Sequence, residues 1–152
     1  METIEKSIEV LNDLIEINND RIAGFATATR DLGDGDLDLK TLFQQFREES
    51  RYNVRELGTA INKNGGEVEM DMSGNGAIHR AWINVKATFS GHDRKSVLEE
   101  CERGEDAIKK AYRDALAPDS GLSSEFIEIV SRQQQGIIDA HNQIKALRDS
   151  AA

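Results

Sequence analysis

Apolar residues along this chain return at the spacing of a helix turn, and polar ones interrupt the pattern at only a few points. Ile4, Ile8, Leu11, Ile15, Ile22 and Phe25 share one stripe, which predicts a helix over residues 3–31. The stretch DLGDGDLD stops it with two glycines. Asp38 is the expected N-cap of the next helix, with Leu37 and Leu42 spaced as a hydrophobic staple. That second helix carries Leu39, Phe43, Phe46, Leu57 and Ile61 until NKNGG ends it. Residues 94–116 predict a third, with Leu98, Cys101, Ile108, Tyr112 and Ala115 on one face, closed by Ala117-Pro118. Ser123 can cap a fourth, stapled by Leu122 and Ile127, which runs through Val130, Ile137, Ile144 and Leu147.

The first and last connections are short, so each flanking pair of helices should fold back as an antiparallel hairpin. Residues 64–92 between them are long enough to travel the bundle, since a 25-residue helix is ~38 Å long. This crossover has its own helical stretch, GAIHRAWINVKATF, with Ile78, Trp82, Val85 and Phe89 on one face. Its start, EVEMDM, alternates and reads as a short extended piece. The expected fold is all-α, a single domain over residues 1–152. Two hairpins joined by one long crossover is the connectivity of a ferritin-like four-helix bundle.

Polar residues break the core stripes near mid-bundle. Asn18 interrupts the first helix, Ser50 and Asn53 the second, Glu105 the third, and Gln134 with Ser131 the fourth. Counting outward from the turns puts Asn18 level with about residue 51 and Glu105 level with about residue 134. The six groups are therefore expected in one layer.

Ferritin-like carboxylate proteins hold two metal ions at that level, using a Glu from each of two helices and Glu-x-x-His from each of the others. Here those slots read Asn18, Glu105, Ser50-Arg51-Tyr52-Asn53 and Ser131-Arg132-Gln133-Gln134. One carboxylate of four remains, with no histidine, which is a poor donor set for hard or borderline metals. The expectation is a hydrogen-bond network in which amides donate to a buried Glu105, with no metal and no catalytic residue. On that view Glu105→Gln should be nearly neutral. His141, counted as two turns from this layer, is the alternative ligand for a single metal such as iron or manganese.

The remaining chemistry-bearing residues have plainer roles. Cys101 lies on a core stripe as a small hydrophobe, and Trp82 is expected to anchor the crossover helix, beside His79 and Arg80. His79 and His92 have no metal-site spacing. Gly24, Gly58, Gly104 and Gly136 sit inside the main helices, at ~1 kcal/mol each relative to alanine, and close helix approach would explain them.

A net charge of −9 argues against a nucleic-acid partner or an anionic membrane surface, both of which need a basic patch. No apolar run approaches the ~20 residues of a membrane span. METIEKSIEV lacks the basic and apolar regions of a signal peptide, and a single cysteine forms no internal disulfide, so a cytoplasmic protein is expected.

Three stretches, GAIHRAWINVKA, ECERGEDAIKKAYRDAL and RQQQGIIDAHNQIKALRD, together resemble a bacterial ferritin-like four-helix-bundle family of unassigned function. The resemblance implies the ferritin-like topology and brings no activity with it. The function expected is that of a non-catalytic interaction or structural module, self-associating as a homodimer or other homo-oligomer, with room for an unidentified protein partner. The alternative is an iron- or manganese-binding oxidoreductase or storage relative with an unorthodox ligand set.

Overall fold

The structure is a computed structural model that describes residues 2–68 and 93–151, with side chains from Ile4 onward. These residues form four helices: α1 (Glu2–Asp31), α2 (Leu37–Lys63), α3 (Arg94–Ala115) and α4 (Ser124–Ser150). The expected crossover helix with Trp82, together with His79, His92 and most of EVEMDM, lies outside the described residues.

Cross-helix bonds set the direction of each helix. Arg94, at the start of α3, pairs with Asp36 at 3.0 Å and Asp38 at 2.7 Å, so α3 begins at the α1–α2 turn. At the opposite end Ser7 donates to the Ser123 hydroxyl at 3.1 Å and accepts from the Ser123 amide at 2.8 Å. That seats the start of α4 beside the start of α1. Helices α2 and α3 therefore run parallel, and each hairpin is antiparallel. Among the described residues no helix is long and apolar enough to cross a membrane.

The stripes read from the sequence meet in a single core. Leu11, Leu14, Phe25, Phe43, Leu57, Ile61, Leu98, Ile108, Val130, Ile137 and Ile144 are all buried within it. Phe25 is the hub of an aromatic cluster, with ring centroids 5.0 Å from Phe43 and 5.3 Å from Phe46.

Two helix starts differ from expectation. Asp36, not Asp38, is the N-cap of α2, and it makes no side-chain cap bond. Asp38 instead lies in the first turn and holds Arg94, while Leu37 is two-thirds exposed and staples nothing. A tertiary ion pair thus competes successfully for the carboxylate that the local pattern assigned to capping. For α3, Asp93 caps by accepting from the Ser96 amide at 2.8 Å.

The Arg94 hydrogen bonds hold the Asp38 carboxyl down at about 2. A depressed carboxylate pKa contributes stability above the ordinary aspartate range and loses it as pH falls through the folded value. An NMR titration should place the Asp38 midpoint near 2, and Arg94→Ala should return it to the ordinary range. An unchanged midpoint in that variant would break the assignment.

Candidate functional site

The polar layer is real chemistry, but its organising group is a residue the pattern concealed. Arg21 is fully buried at the bundle centre. Its Nε and one terminal nitrogen donate to the two carboxylate oxygens of Glu105 at 2.8 and 2.9 Å, a bidentate pair. The other terminal nitrogen donates to Glu49 at 2.8 Å and to the Ser50 hydroxyl at 2.9 Å. The rings of Phe25 and Phe46 lie 5.4 Å from the guanidinium carbon, covering it with aromatic surface.

A second tier lies one turn lower. Ser50 donates to the Asn18 carbonyl oxygen at 2.8 Å, and Asn53 reaches the same atom at 3.3 Å. The Asn18 amide donates to the Tyr112 hydroxyl at 2.9 Å, and that hydroxyl donates onward to Gln133 at 2.7 Å. Gln133 then donates to Glu56 at 2.9 Å, and Glu56 meets Arg132 at the surface. The chain of bonds runs unbroken from the Glu105 carboxylate to solvent.

Burial and charge act against each other throughout. Burial raises Glu105 above the ordinary carboxylate range, and Arg21 pulls it partway back. Burial lowers Arg21, but Glu105 and Glu49 more than compensate, so the guanidinium is raised overall. Burial pushes the Tyr112 hydroxyl well up, which keeps it a neutral donor. Glu56, nearer the surface, is raised by burial but ends lowered by Arg132 and Gln133. Burial, with Glu105 and Glu100 behind it, pushes the Cys101 thiol well above its usual value, and its side chain is enclosed in the apolar core.

Of the six residues expected in the layer, Asn18, Ser50, Asn53 and Glu105 are joined in this network. Gln134 is only half-buried and Ser131 is exposed; Gln133 enters in their place. The cause is register. Residues 117–123 are not a symmetric turn, because the chain runs on past Gly121 (φ +85°) before α4 starts.

Tyr112 therefore meets Gln133, and His141 on α4 stands beside Glu102 and Asp106, the α3 residues that flank Glu105. The count that set His141 two turns away is corrected. Its Nε2 lies 2.6 Å from Asp106 and 3.9 Å from Glu102, and Glu102 is also bound by Arg148. Among the described residues, no group of three histidine, cysteine or acidic side chains is arranged to hold a metal ion.

The sequence signal for Arg21 is its position: with Leu14, Asn18 and Phe25 it sits on the core stripe, and a buried glutamate calls for a cation. Of the helix glycines, Gly136 answers to close approach, since a Cβ there would come 2.8 Å from the Glu49 carboxylate.

The middle of the network can be tested without touching a charge. Tyr112→Phe removes the hydroxyl that both accepts from Asn18 and donates to Gln133. It should cost about 1–3 kcal/mol in denaturant melts, the penalty for stranding buried polar groups.

Fold and site together define an all-α four-helix protein whose interior is crossed by a buried, charge-centred hydrogen-bond network. The chain belongs to the family described as Domain of unknown function (DUF2383), whose model matches residues 6–118. That match contains Arg21, Glu49, Ser50 and Glu105 and ends before α4. Comparison with curated proteins finds no match.

Proposed function

We propose that this protein is a ferritin-like bundle acting as a non-catalytic interaction or structural module, in which its own guanidinium fills the position where such bundles carry metal. The observation that carries the reading is Arg21, fully buried and bound by both Glu105 and Glu49. The parallel course of α2 and α3, with two antiparallel hairpins, supports the ferritin-like assignment.

An iron or manganese centre fits these residues poorly. The two carboxylates that face the interior already neutralise Arg21, and the remaining donors are amides and hydroxyls, which bind such ions weakly. A metal would also have to displace a buried cation, leaving it unpaired.

We assign the module to the cytoplasm, where the single buried thiol of Cys101 suits a reducing compartment. We further propose that it works as a homodimer, the commonest closed assembly.

Thermal melts with and without Fe(II) or Mn(II), beside metal analysis of protein made in iron-rich medium, test the central claim. No metal-dependent shift is expected, and metal content should stay far below one ion per chain. Near-stoichiometric metal whose stabilisation disappears in Glu105→Gln would replace this reading with the metal-binding one. Light scattering tests the dimer: a mass of 16.9 kDa at high concentration would exclude it.

A further inference from the structure

The seam between α2 and α4 opens, toward the end where α2 finishes, into a groove of about 540 Å³. Its floor is apolar, from Ala60, Phe126 and Ile129, and Tyr52, more than half exposed, stands on its rim. We propose that a second copy of this chain covers the groove, in a two-fold dimer that lays α2 of each protomer over α4 of its partner. The proposal rests on the homodimer reading above and names the face that this reading left open.

Charge selects the occupant. Arg55 and Lys63 line the groove from α2 and Glu125 lines it from α4, with Glu128 a turn further along. All four side chains are exposed, and none forms an ion pair among the described residues. Across this seam the described residues make one ion pair, Glu56 with Arg132 at 2.8 Å. The α3–α4 seam, by contrast, is bridged at its surface by Arg148 with Glu102 and by His141 with Asp106. A face with one basic edge and one acidic edge complements its own copy when unlike edges meet. The groove sets Arg55 and Lys63 against Glu56 and Glu125, so it escapes the repulsion that a net charge of −9 imposes on the chain as a whole.

Register fixes how the copies lie. Gly136 stands beside Glu49, Arg132 beside Glu56, and Glu125 shares the groove with Lys63, so these residues of α2 and α4 are level. A two-fold axis along the bundle keeps each residue at its level and exchanges the two helices. Lys63 then stands over the partner's Glu125, and Arg55 reaches the partner's Glu128, each pairing occurring twice. Tyr52 lands on the partner's α4, its ring on apolar surface and its hydroxyl toward water. An axis across the bundle would set α2 on α2 and α4 on α4, away from these pairings. Helices of 27 residues are ~40 Å long and two side by side span ~20 Å, so the face offers about 800 Å² per protomer, the size of a specific interface.

Sedimentation equilibrium reads the association of the full chain. Arg55→Glu with Lys63→Glu should raise the dimer Kd by roughly a hundred-fold, the scale of two exposed pairs, doubled by symmetry, turned into repulsions. Glu125→Lys with Glu128→Lys should do the same. All four substitutions in one chain exchange the edges and should restore the dimer. Tyr52→Ala should weaken it at least ten-fold, as loss of a central interface tyrosine does. Cross-linking reads the arrangement. Lys63→Cys protein mixed with Glu125→Cys protein should give a disulfide-linked pair under a mild oxidant, and Lys63→Cys protein alone should not.

Three results would each overturn the proposal. A dimer indifferent to the charge reversals and to Tyr52 places the contact on another face and leaves the homodimer reading standing. A wild-type monomer at high concentration removes both. Covalent dimers from Lys63→Cys protein alone, or masses that grow past two chains, show α2 against α2 or an open assembly instead. Melts by circular dichroism, expected to be unchanged in the isolated chains because every substituted side chain is exposed, separate dissociation from unfolding.

Discussion

Arg21→Met should destabilise the protein by about 3–5 kcal/mol, because it leaves the Glu105 carboxylate charged and unpaired in the interior. Glu105→Leu should cost a similar amount for the mirror reason, with only Glu49, one-third exposed, left to balance the guanidinium. The double variant Arg21→Met/Glu105→Leu should return to within about 1 kcal/mol of wild type, since an apolar pair of similar volume avoids both desolvation penalties. Ser50 keeps its bond to Asn18 in that background, and Glu49 can turn to water. Glu105→Gln also becomes costly, on the order of 3 kcal/mol, because it presents an amide N–H₂ to a guanidinium that needs acceptors. The near-neutral effect expected from a network of amides alone is withdrawn, since the donors to Glu105 come from a cation. Denaturant melts of the four variants beside wild type check the set. A double variant as unstable as the two singles added together would show that the residues contribute separately.

Phe25→Ala should lose about 3–5 kcal/mol, as truncation of a buried aromatic leaves a cavity as well as lost burial. Two further consequences distinguish this site from an ordinary core position. Phe25 contacts both Phe43 and Phe46 and lies over the Arg21 guanidinium, so its removal opens the upper tier of the network to water. Phe25→Leu, which retains bulk but no ring face, should cost less than half as much while still loosening Arg21. Combining Phe25→Ala with Arg21→Met/Glu105→Leu should then give less than the sum of the separate effects. Strict additivity would mean that the ring packs against the network without shielding it.

The helices were legible in the sequence for a physical reason. A helix that buries one face must repeat apolar residues at its own period, and Ile15, Phe43, Ile108 and Ile137 each fall where that repeat demands. The polar interruptions at Asn18, Ser50, Asn53 and Glu105 were visible by the same rule, because a core position without an apolar side chain stands out. What the sequence by itself determined was therefore the apolar side of each helix, though not the choice between neighbours such as Arg21 and Ile22 on α1 or Gln133 and Gln134 on α4. Which groups from different helices stand at one level depends on the connections, and the α3–α4 connection carries no periodic signal. Its course past Gly121 set Gln133 level with Tyr112 and His141 beside Glu102 and Asp106, which flank Glu105. Arg21 belongs to that second kind of knowledge. Its place on the core stripe with Leu14, Asn18 and Phe25 is readable on paper, but only packing α1 against α2 and α3 encloses it between Glu49 and Glu105. A charge can stay buried only with its partners in place, so tertiary structure alone decided that the bundle is centred on a guanidinium.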